Sequence, residues 1–154
     1  MKKVNTQNFK KTLSKFSTGI TVVCIKNNNS IYGKTVNSFN SLSLNPPMVL
    51  FSLGNYSSSI KHFLKAKFLS INILSSKQKR LSDNFASTSP KLEKIKFIEG
   101  KNKTVIIPNC IANLECEITD KIKKGDHIIF ICKILELQSN NKLKPLVYFN
   151  SKYF

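Results

Sequence analysis

Apolar residues of this chain fall at helical spacing in three short segments. Phe9, Leu13 and Phe16 recur four and three residues apart, so they lie on one face of a helix. Asn5 or Thr6 can cap its start, because a short side-chain oxygen accepts a hydrogen bond from the free N–H groups there. The predicted helices run from residue 5 or 6 to about residues 18–19, over residues 57–66 with Ser57 or Ser58 at the cap, and over residues 76–85.

Strand-like runs occupy most of the remaining chain. Residues 111–121 alternate apolar and polar side chains, Lys124-Gly125-Asp126 supplies a turn, and residues 127–137 continue as a second long strand. A second hairpin is predicted where three asparagines separate residues 20–26 from residues 31–36. The other predicted strands cover residues 48–53, 67–74 and 146–149. The lysine-rich segment 86–103 is weakly periodic, which is consistent with a long loop or a small excursion and leaves its structure open.

Runs of strands with few helices, without regular alternation of strand and helix, indicate a mostly β fold. We expect a mostly antiparallel barrel decorated by a few peripheral helices. The chain has 154 residues, enough for one core and too few for two ordinary domains. A single domain over residues 1–154 is therefore expected.

The strong positive charge does not by itself indicate a nucleic-acid partner. The formal net charge is +17, but Arg80 is the only arginine and the charge is carried by scattered lysines. Arginine is the side chain that forks onto guanine edges and phosphates. We therefore interpret the lysines as a solvated surface that attracts an anionic cofactor, and nucleic acid is not an expected partner.

The cysteines and the N-terminal segment bear on the compartment. Cys24, Cys110, Cys116 and Cys132 form no C-x-x-C pair and sit in or beside apolar runs, so we expect buried free thiols and no metal site. No apolar run follows the basic N-terminus, and none approaches the ~20 residues of a membrane span. A cytoplasmic location without a membrane partner is the expectation.

Residues 31–53, IYGKTVNSFNSLSLNPPMVLFSL, join two strand-like runs through small polar side chains and a Pro-Pro pair. Such side chains are too short to fill a core but can hydrogen-bond a flat polar ligand beside backbone N–H groups. The alternative is an irregular loop whose polar groups satisfy their own backbone. The polar residues concerned are Thr35, Asn37, Ser38, Asn40, Ser41 and Ser43.

Three further segments carry candidate chemistry, each with a structural alternative. Ser52, Leu53 and the Ser57-Ser58-Ser59 run ahead of a predicted helix resemble a phosphate site, although serines more often only cap helices. His127 follows a tight turn, where it contacts a ligand or merely caps the strand, and Asp126 either orients its ring or forms the turn. Tyr148 stacks on a ring system or packs in the core with its hydroxyl outward.

These segments together resemble the flavin reductase-like family over nearly the whole chain. The matching motifs are F-x-x-x-L-x-x-F-x-T-G-I-T-V-V from residue 9, YGKTVNSFNSLSLNPP from residue 32, G-D-H-x-I-F from residue 125 and P-L-V-Y-F from residue 145. The resemblance implies an antiparallel FMN-binding split β-barrel that carries a few peripheral helices. Departures from the family pattern are Lys34, Asn113 and Lys152; Lys34 either adds a cation near the flavin, favouring an anionic reduced ring, or points to solvent.

The resemblance also implies which residues bind the cofactor. Thr35, Val36, Asn37 and Ser38 are expected to line the isoalloxazine ring and ribityl chain. The phosphate is expected near Ser52, Leu53, Ser57, Ser58 and Ser59, with Lys61 as a charge partner. The flavin and nicotinamide are expected to meet at His127, positioned beside Asp126, and Tyr148 is expected to contact the ring.

The implied function is that of an NAD(P)H-dependent flavin reductase. Hydride passes from NADH or NADPH to bound FMN or FAD, and reduced flavin supplies a separate flavin-dependent monooxygenase. The alternative is an FMN-binding flavoprotein without rapid NAD(P)H turnover, acting as an electron carrier or sensor. The resemblance further implies a homodimer. The residues leave open the choice between FMN and FAD and between NADH and NADPH.

Overall fold

A seven-stranded antiparallel sheet dominates the computed structural model, which describes residue 1 and residues 3–154. Its strand order is β3-β2-β6-β9-β10-β5-β4. The strands are β1 Thr18–Gly19, β2 Thr21–Asn27, β3 Ser30–Val36, β4 Asn40–Leu44, β5 Pro47–Gly54, β6 Phe68–Ile73, β7 Ile98–Glu99, β8 Val105–Ile106, β9 Ala112–Lys124, β10 His127–Ser139, β11 Val147–Phe149 and β12 Lys152–Tyr153. The helices are α1 Thr6–Leu13, α2 Ile60–Lys65 and α3 Lys79–Ala86, the last preceded by a 3₁₀ turn at Ser76–Gln78. The predicted mostly β, antiparallel architecture with few helices is confirmed.

Both predicted hairpins form. Strands β2 and β3 pair from Thr21 opposite Val36 to Asn27 opposite Ser30. Strands β9 and β10 pair along most of their length and turn at Gly125, whose φ of +57° is a conformation that glycine adopts without a side-chain clash. The longer hairpin carries His127 to one end of the sheet.

The core consists of two apolar clusters, to which alternate residues of β2 contribute. Val23 and Ile25 belong to one cluster, in which the Phe51 and Phe130 rings stack with centroids 5.1 Å apart. Cys24 belongs to the other, which includes Phe85 of α3. Because successive strand residues point to opposite faces, β2 is buried on both sides.

Helix α1 begins as predicted but ends earlier. Asn5 caps it, since the N–H of Asn8 donates to Asn5 Oδ1 over 2.8 Å. The predicted continuation to residues 18–19 is wrong: the helix ends at Leu13, and Thr18 pairs with Tyr148 as β1. The C-terminal segment pairs with the residues that follow Leu13, and the N–H of Asn150 donates to the carbonyl of Ser14.

The four cysteines are free and buried, as predicted. Burial raises the pKa of Cys110 to about 11 and that of Cys116 to about 12. Within residues 86–103, whose structure the sequence leaves open, Ile98 and Glu99 form β7 and pair with β8. Within the described part of the chain, no helix has the length and apolar character needed to span a membrane.

Candidate active site

A cleft of about 350 Å³ opens where the ends of β3 and β5 lie close to the start of β10. Strand register explains the convergence: His127 lies opposite Gly54, and Ile128 lies opposite Leu53. The N–H of Asn55 donates to the carbonyl of Asp126 over 2.9 Å, which joins the two chain turns at this end. The lining residues are Lys34, Thr35, Val36, Asn37, Ser38, Ser52, Leu53, Gly54, Tyr56, Ser57, Ser58, Ala86, Thr88 and His127.

Ser38 fastens the wall of this cleft to the neighbouring strand. Its hydroxyl donates to the carbonyl of Ser52 over 3.1 Å and accepts from the N–H of Ser52 over 3.0 Å. The residues between β3 and β4, which include Asn37, lie outside the paired strands. Their backbone groups are therefore not committed to the ladder, and Asn37 and Ser38 line the cleft.

Thr35 connects the cleft to helix α3 and the C-terminus. Its hydroxyl donates to the carbonyl of Ser82 over 2.7 Å, and the Ser82 and Tyr153 hydroxyls are 2.9 Å apart. Gly33 allows this close approach, because a Cβ there would lie 2.5 Å from the Phe85 ring. The Thr35 hydroxyl therefore braces the wall, with only its lone pairs left for a ligand.

His127 lines the cleft beside an acid and an aromatic ring, and its side chain is 41% exposed. Its Nδ1 lies 2.7 Å from Asp126 Oδ1, and this hydrogen bond lowers the pKa of the Asp126 carboxyl. An ionised carboxylate can only accept, so Nδ1 carries the shared hydrogen and Nε2 is the nitrogen left for other partners. The exposed Tyr56 ring meets the imidazole edge-on, with centroids 6.3 Å apart.

The serine run forms a bonded turn rather than a free row of hydroxyls. Ser57 and Ser59 hydroxyls lie 3.3 Å apart, and the Ser58 hydroxyl donates to the carbonyl of Thr88 over 3.0 Å. Helix α2 begins at Ile60, so the predicted cap at Ser57 or Ser58 is wrong: Ser59 is the cap residue. A predicted phosphate contact at this turn rests on Ser57 and Ser58, which line the cleft.

Lys34 brings a positive charge to the cleft wall. Its ammonium donates to the carbonyl of Ser87 over 2.6 Å, and partial burial lowers the pKa of the amine. The side chain therefore does not simply point to solvent, which was one of the two interpretations of this departure from the family pattern. Among the described residues that line the cleft, none carries a carboxylate.

The structure brings most of the predicted site residues together, although their contacts with a ligand stay predictions. Those lining the cleft are Thr35, Val36, Asn37, Ser38, Ser52, Leu53, Ser57, Ser58 and His127. Ser59 is buried and lines a neighbouring cleft, Lys61 is exposed on α2, and Asp126 lies in the turn. Tyr148 lies outside the lining set, 5.3 Å from the Tyr153 ring in the β1-β11-β12 sheet.

The sequence patterns do not indicate several of the residues that line the cleft. Ala86 and Thr88 come from the end of α3, far along the chain from β3, and no local pattern indicates them. Tyr56 had a usable signal: it lies between a predicted strand and a predicted helix, outside either apolar pattern, and the structure leaves its ring exposed.

The lining suits a flat heteroaromatic ligand with polar edges, as a flavin is. Val36 and Leu53 supply apolar contact, while hydroxyl, amide and backbone groups surround them. The cation of Lys34, with no carboxylate among the described lining residues, suits an anionic ligand. The described residues contain no group of three or more His, Cys, Asp or Glu side chains placed to hold a metal ion.

Comparison with known proteins identifies relatives of the whole chain. The model of the flavin reductase like domain family matches residues 13–154. The chain is 34% identical over 131 residues to FMN reductase (NADH) SmoA of Agrobacterium fabrum, covering 85% of this chain and 75% of that protein. It is 27% identical over 145 residues to the reductase component of a 4-nitrophenol 4-monooxygenase/4-nitrocatechol 2-monooxygenase of Rhodococcus opacus, covering 94% of this chain and 78% of that protein.

A solved structure agrees with the sequence relatives. Flavin reductase PheA2 in its native state superposes with a TM-score of 0.92 at 32% sequence identity. The superposition covers 98% of this chain and 97% of that one. Both the strands that form the cleft and the segments that line it are therefore within the shared fold.

Proposed function

This chain belongs to the flavin reductase like domain family, and on that premise we propose that it is an NAD(P)H-dependent flavin reductase. One observation carries the proposal: two segments that share the family's motifs, residues 32–47 and residues 125–130, are far apart in sequence and both contribute to one cleft, together with the serine turn. Residues 35–38, 52–54, 56–58 and 127 all line it, and its polar and apolar groups suit a flavin ring. The substrates are a flavin nucleotide, FMN or FAD, and NADH or NADPH.

A bound flavin supplies the two-electron chemistry that accepts hydride from a nicotinamide. The protein must bind both rings, stack them in a reactive geometry and exclude water. Val36 and Leu53 provide the apolar surface against which a ring lies, and the unpaired backbone beside Asn37 provides donors for its edge. Ser38 and Thr35 hold that wall rigid through their bonds to Ser52 and Ser82.

His127 positions the second ring in this proposal. Asp126 holds the imidazole through Nδ1, which leaves Nε2 available to a polar group of the flavin or nicotinamide. The partly exposed histidine lines the cleft, where a nucleotide entering after the flavin would pass. Ser57 and Ser58 on the adjacent turn are the proposed phosphate contacts.

The active form is a homodimer. Large apolar side chains on α1 are more than half exposed: Phe9 is 56% exposed and Leu13 is 57% exposed. The sheet edge adds Leu44, which is 93% exposed on β4. Exposed apolar surface of this kind marks an interaction site, and the family resemblance supplies the partner, a second copy. Tyr148 and Lys61 do not line the cleft of their own chain, and in the dimer they contact the partner's cleft.

Further features follow from the same family membership. The seven-stranded sheet is the framework of an FMN-binding split β-barrel in one domain, supported by the superposition on flavin reductase PheA2. Reduced flavin passes to a separate flavin-dependent monooxygenase, as the name of the Rhodococcus opacus relative describes for that protein. The reaction takes place in the cytoplasm, an environment that keeps the four free cysteines reduced.

The proposal is tested by NADH and NADPH consumption with purified protein and added FMN, FAD or riboflavin. Consumption that depends on both flavin and protein is expected. Heat-denatured protein at the same concentration controls for the direct reaction of nucleotide and flavin. Flavin binding with neither nucleotide consumed would overturn the reductase in favour of a flavoprotein without turnover, and absence of both would leave only the shared fold.

A further inference from the structure

A second cleft of about 300 Å³ adjoins the proposed flavin cleft. We refer to it as the neighbouring cleft. Its lining residues are Ile31, Tyr32, Gly33, Lys34, Ser58, Ser59, Thr88, Pro90 and Leu92. Lys34, Ser58 and Thr88 line both clefts, so the two spaces meet along a shared wall.

The shared wall is polar and positively charged. Ser58 and Thr88 are tied together by a hydrogen bond of 3.0 Å from the serine hydroxyl to the threonine carbonyl. Lys34 is held in place by the carbonyl of Ser87, 2.6 Å from its ammonium. An ammonium has three donors, so two remain for a ligand. Lys34 is the one lysine or arginine among the described residues that line either cleft.

Beyond this wall the neighbouring cleft is mainly apolar. Ile31, Pro90 and Leu92 line it together with Tyr32, whose ring is stacked at 3.7 Å on His62. A flat base packs well against aliphatic and aromatic side chains of this kind. The order along the surface is thus a cleft for one ring system, a cationic wall and a cleft for a second ring.

That order is the chemical order of a dinucleotide: ring, pyrophosphate, ring. Resting on the proposed function, we propose that the site is built for FAD, with Lys34 facing the pyrophosphate and the neighbouring cleft accepting the adenylate. Lys34 is then a specificity-determining residue. It takes the part expected of Lys61, which is exposed on α2 and lines neither cleft.

Because the Lys34 ammonium is partly buried, its charge would interact more strongly with a phosphate than the charge of a fully exposed lysine. Burial lowers the pKa of this amine because the charged form loses water, and an adjacent phosphate would favour the charged form again. Charge-assisted hydrogen bonds of this type are stronger than neutral ones. Riboflavin, which has no phosphate, cannot use them.

Equilibrium binding of oxidised flavins, followed by quenching of their fluorescence, tests the inference without turnover. Wild-type protein should bind FAD roughly tenfold or more tightly than FMN. Lys34→Met should weaken both nucleotides by roughly tenfold or more while riboflavin affinity stays within about twofold. Lys142→Met, at an exposed lysine that lines neither cleft, should change none of the three.

A bulky residue in the neighbouring cleft separates the adenylate from the phosphate. Leu92→Trp should remove the preference for FAD over FMN and leave FMN affinity unchanged. Pro90→Trp, at a position that lines only the neighbouring cleft, gives a second variant if the first folds poorly.

Equal affinity of wild-type protein for FAD and FMN would overturn the inference. The inference would also be overturned if Lys34→Met weakened riboflavin binding as much as FMN and FAD binding, because that result indicates a structural role for Lys34. Unchanged flavin affinities with a raised KM for NADH would assign the cation to the pyridine nucleotide instead. In each of these cases the reductase itself stands, whereas wild-type protein that binds no flavin would refute the proposed function.

Discussion

Small polar side chains around the cleft are already hydrogen-bonded within the protein. The Ser38 hydroxyl both donates to and accepts from Ser52, and the Thr35 hydroxyl donates to Ser82. A side chain already bonded in this way contributes rigidity, because its loss leaves partners unsatisfied. In the proposed site, direct recognition of the flavin therefore falls mainly to backbone groups near Asn37 and to the side chain of Lys34, whereas His127 meets the nicotinamide.

Removal of the Ser38 hydroxyl should loosen the cleft wall. In Ser38→Ala the N–H and carbonyl of Ser52 lose their partner, which should lower the free energy of unfolding by about 1–2 kcal/mol. Flavin affinity should fall with it. Urea denaturation and flavin titration measure the two effects. Ser41→Ala, at an exposed serine of β4, is the matched control and should change stability by less than about 0.5 kcal/mol.

His127 should affect turnover more than flavin binding. His127→Asn removes the group that Asp126 positions, so kcat/KM for the pyridine nucleotide should fall by roughly tenfold or more, with flavin affinity nearly unchanged. Steady-state kinetics and flavin titration give the comparison. His62→Asn replaces the histidine stacked on Tyr32 and should retain activity. Equal activity of the His127 variant and wild-type protein would exclude a role for this residue in the reaction.

Glu115 should make stability depend on acid pH. Burial alone would raise the pKa of its carboxyl, but hydrogen bonds from the Thr104 hydroxyl and the N–H groups of Asn102 and Lys101 outweigh burial and lower it. A lowered folded-state pKa stabilises the protein above the usual value of 4.5, and this contribution disappears as pH falls through the folded-state pKa.

Glu115→Gln should therefore cost about 1–3 kcal/mol at neutral pH and less in acid. Urea denaturation across this pH range measures the difference between variant and wild-type protein. A difference that does not shrink toward acid pH would show that the charge of Glu115 contributes nothing.

Long alternating strands are the elements that the sequence predicts best. The β2–β3 and β9–β10 hairpins have strong apolar patterns and turn residues at their tips. Strand β4 was missed because it is an edge strand with mostly exposed residues, and its pairing with β5 depends on a distant partner rather than on its own pattern. The sequence predicts too long a helix α1, because Phe16 continues the apolar spacing. The helix ends at Leu13 because the residues that follow it pair as β1 with β11.

Gly33 sets the distance between β3 and α3. A methyl group there would meet the buried Phe85 ring at 2.5 Å, so Gly33→Ala must displace α3. We expect a loss of about 1–3 kcal/mol and weaker flavin binding, because the Thr35–Ser82 bond depends on that spacing. Thermal unfolding measures the loss of stability, and flavin titration measures the loss of flavin affinity. Gly19→Ala is the control, since a Cβ at that glycine has no neighbour within 4 Å. A fully stable Gly33→Ala protein would show that the helix is free to shift.

The site as a whole was only partly predictable. Segments with local motifs, such as residues 35–38 and 127, were identified from the sequence and line the cleft. Ala86 and Thr88 enter it only because α3 packs on β3, a contact that no local pattern encodes. Asn113 was noted as a polar interruption of a strand; its amide donates to Asn72 and to the carbonyl of Ile107, a buried network that only the fold makes visible.

At the scale of the whole molecule, the exposed apolar groups predict association. Phe9→Asp on α1 should convert a dimer into a monomer in sedimentation experiments, because a charge would be buried in the interface. Leu137→Asp, at a residue 70% exposed on β10 and outside α1, tests whether any exposed apolar residue has the same effect and should leave the dimer intact. Wild-type protein that sediments as a monomer at working concentration with flavin bound would contradict the proposed dimer.

The net charge of +17 acts at the same scale. Both expected ligands, a flavin nucleotide and a pyridine nucleotide, are anions, so the lysine-rich surface raises their local concentration. This attraction is long-ranged and does not require any lysine to touch the ligand. Lys34 differs from the other lysines because it is fixed in the cleft wall.

Hydride transfer is the central claim, and anaerobic mixing of NADH with protein and oxidised flavin tests it most directly. With one equivalent of flavin, the flavin absorbance should bleach at the rate at which NADH disappears, in equal amounts and far faster than without protein. Flavin that is bound by the protein, yet bleaches no faster than free flavin with either NADH or NADPH, would contradict the account.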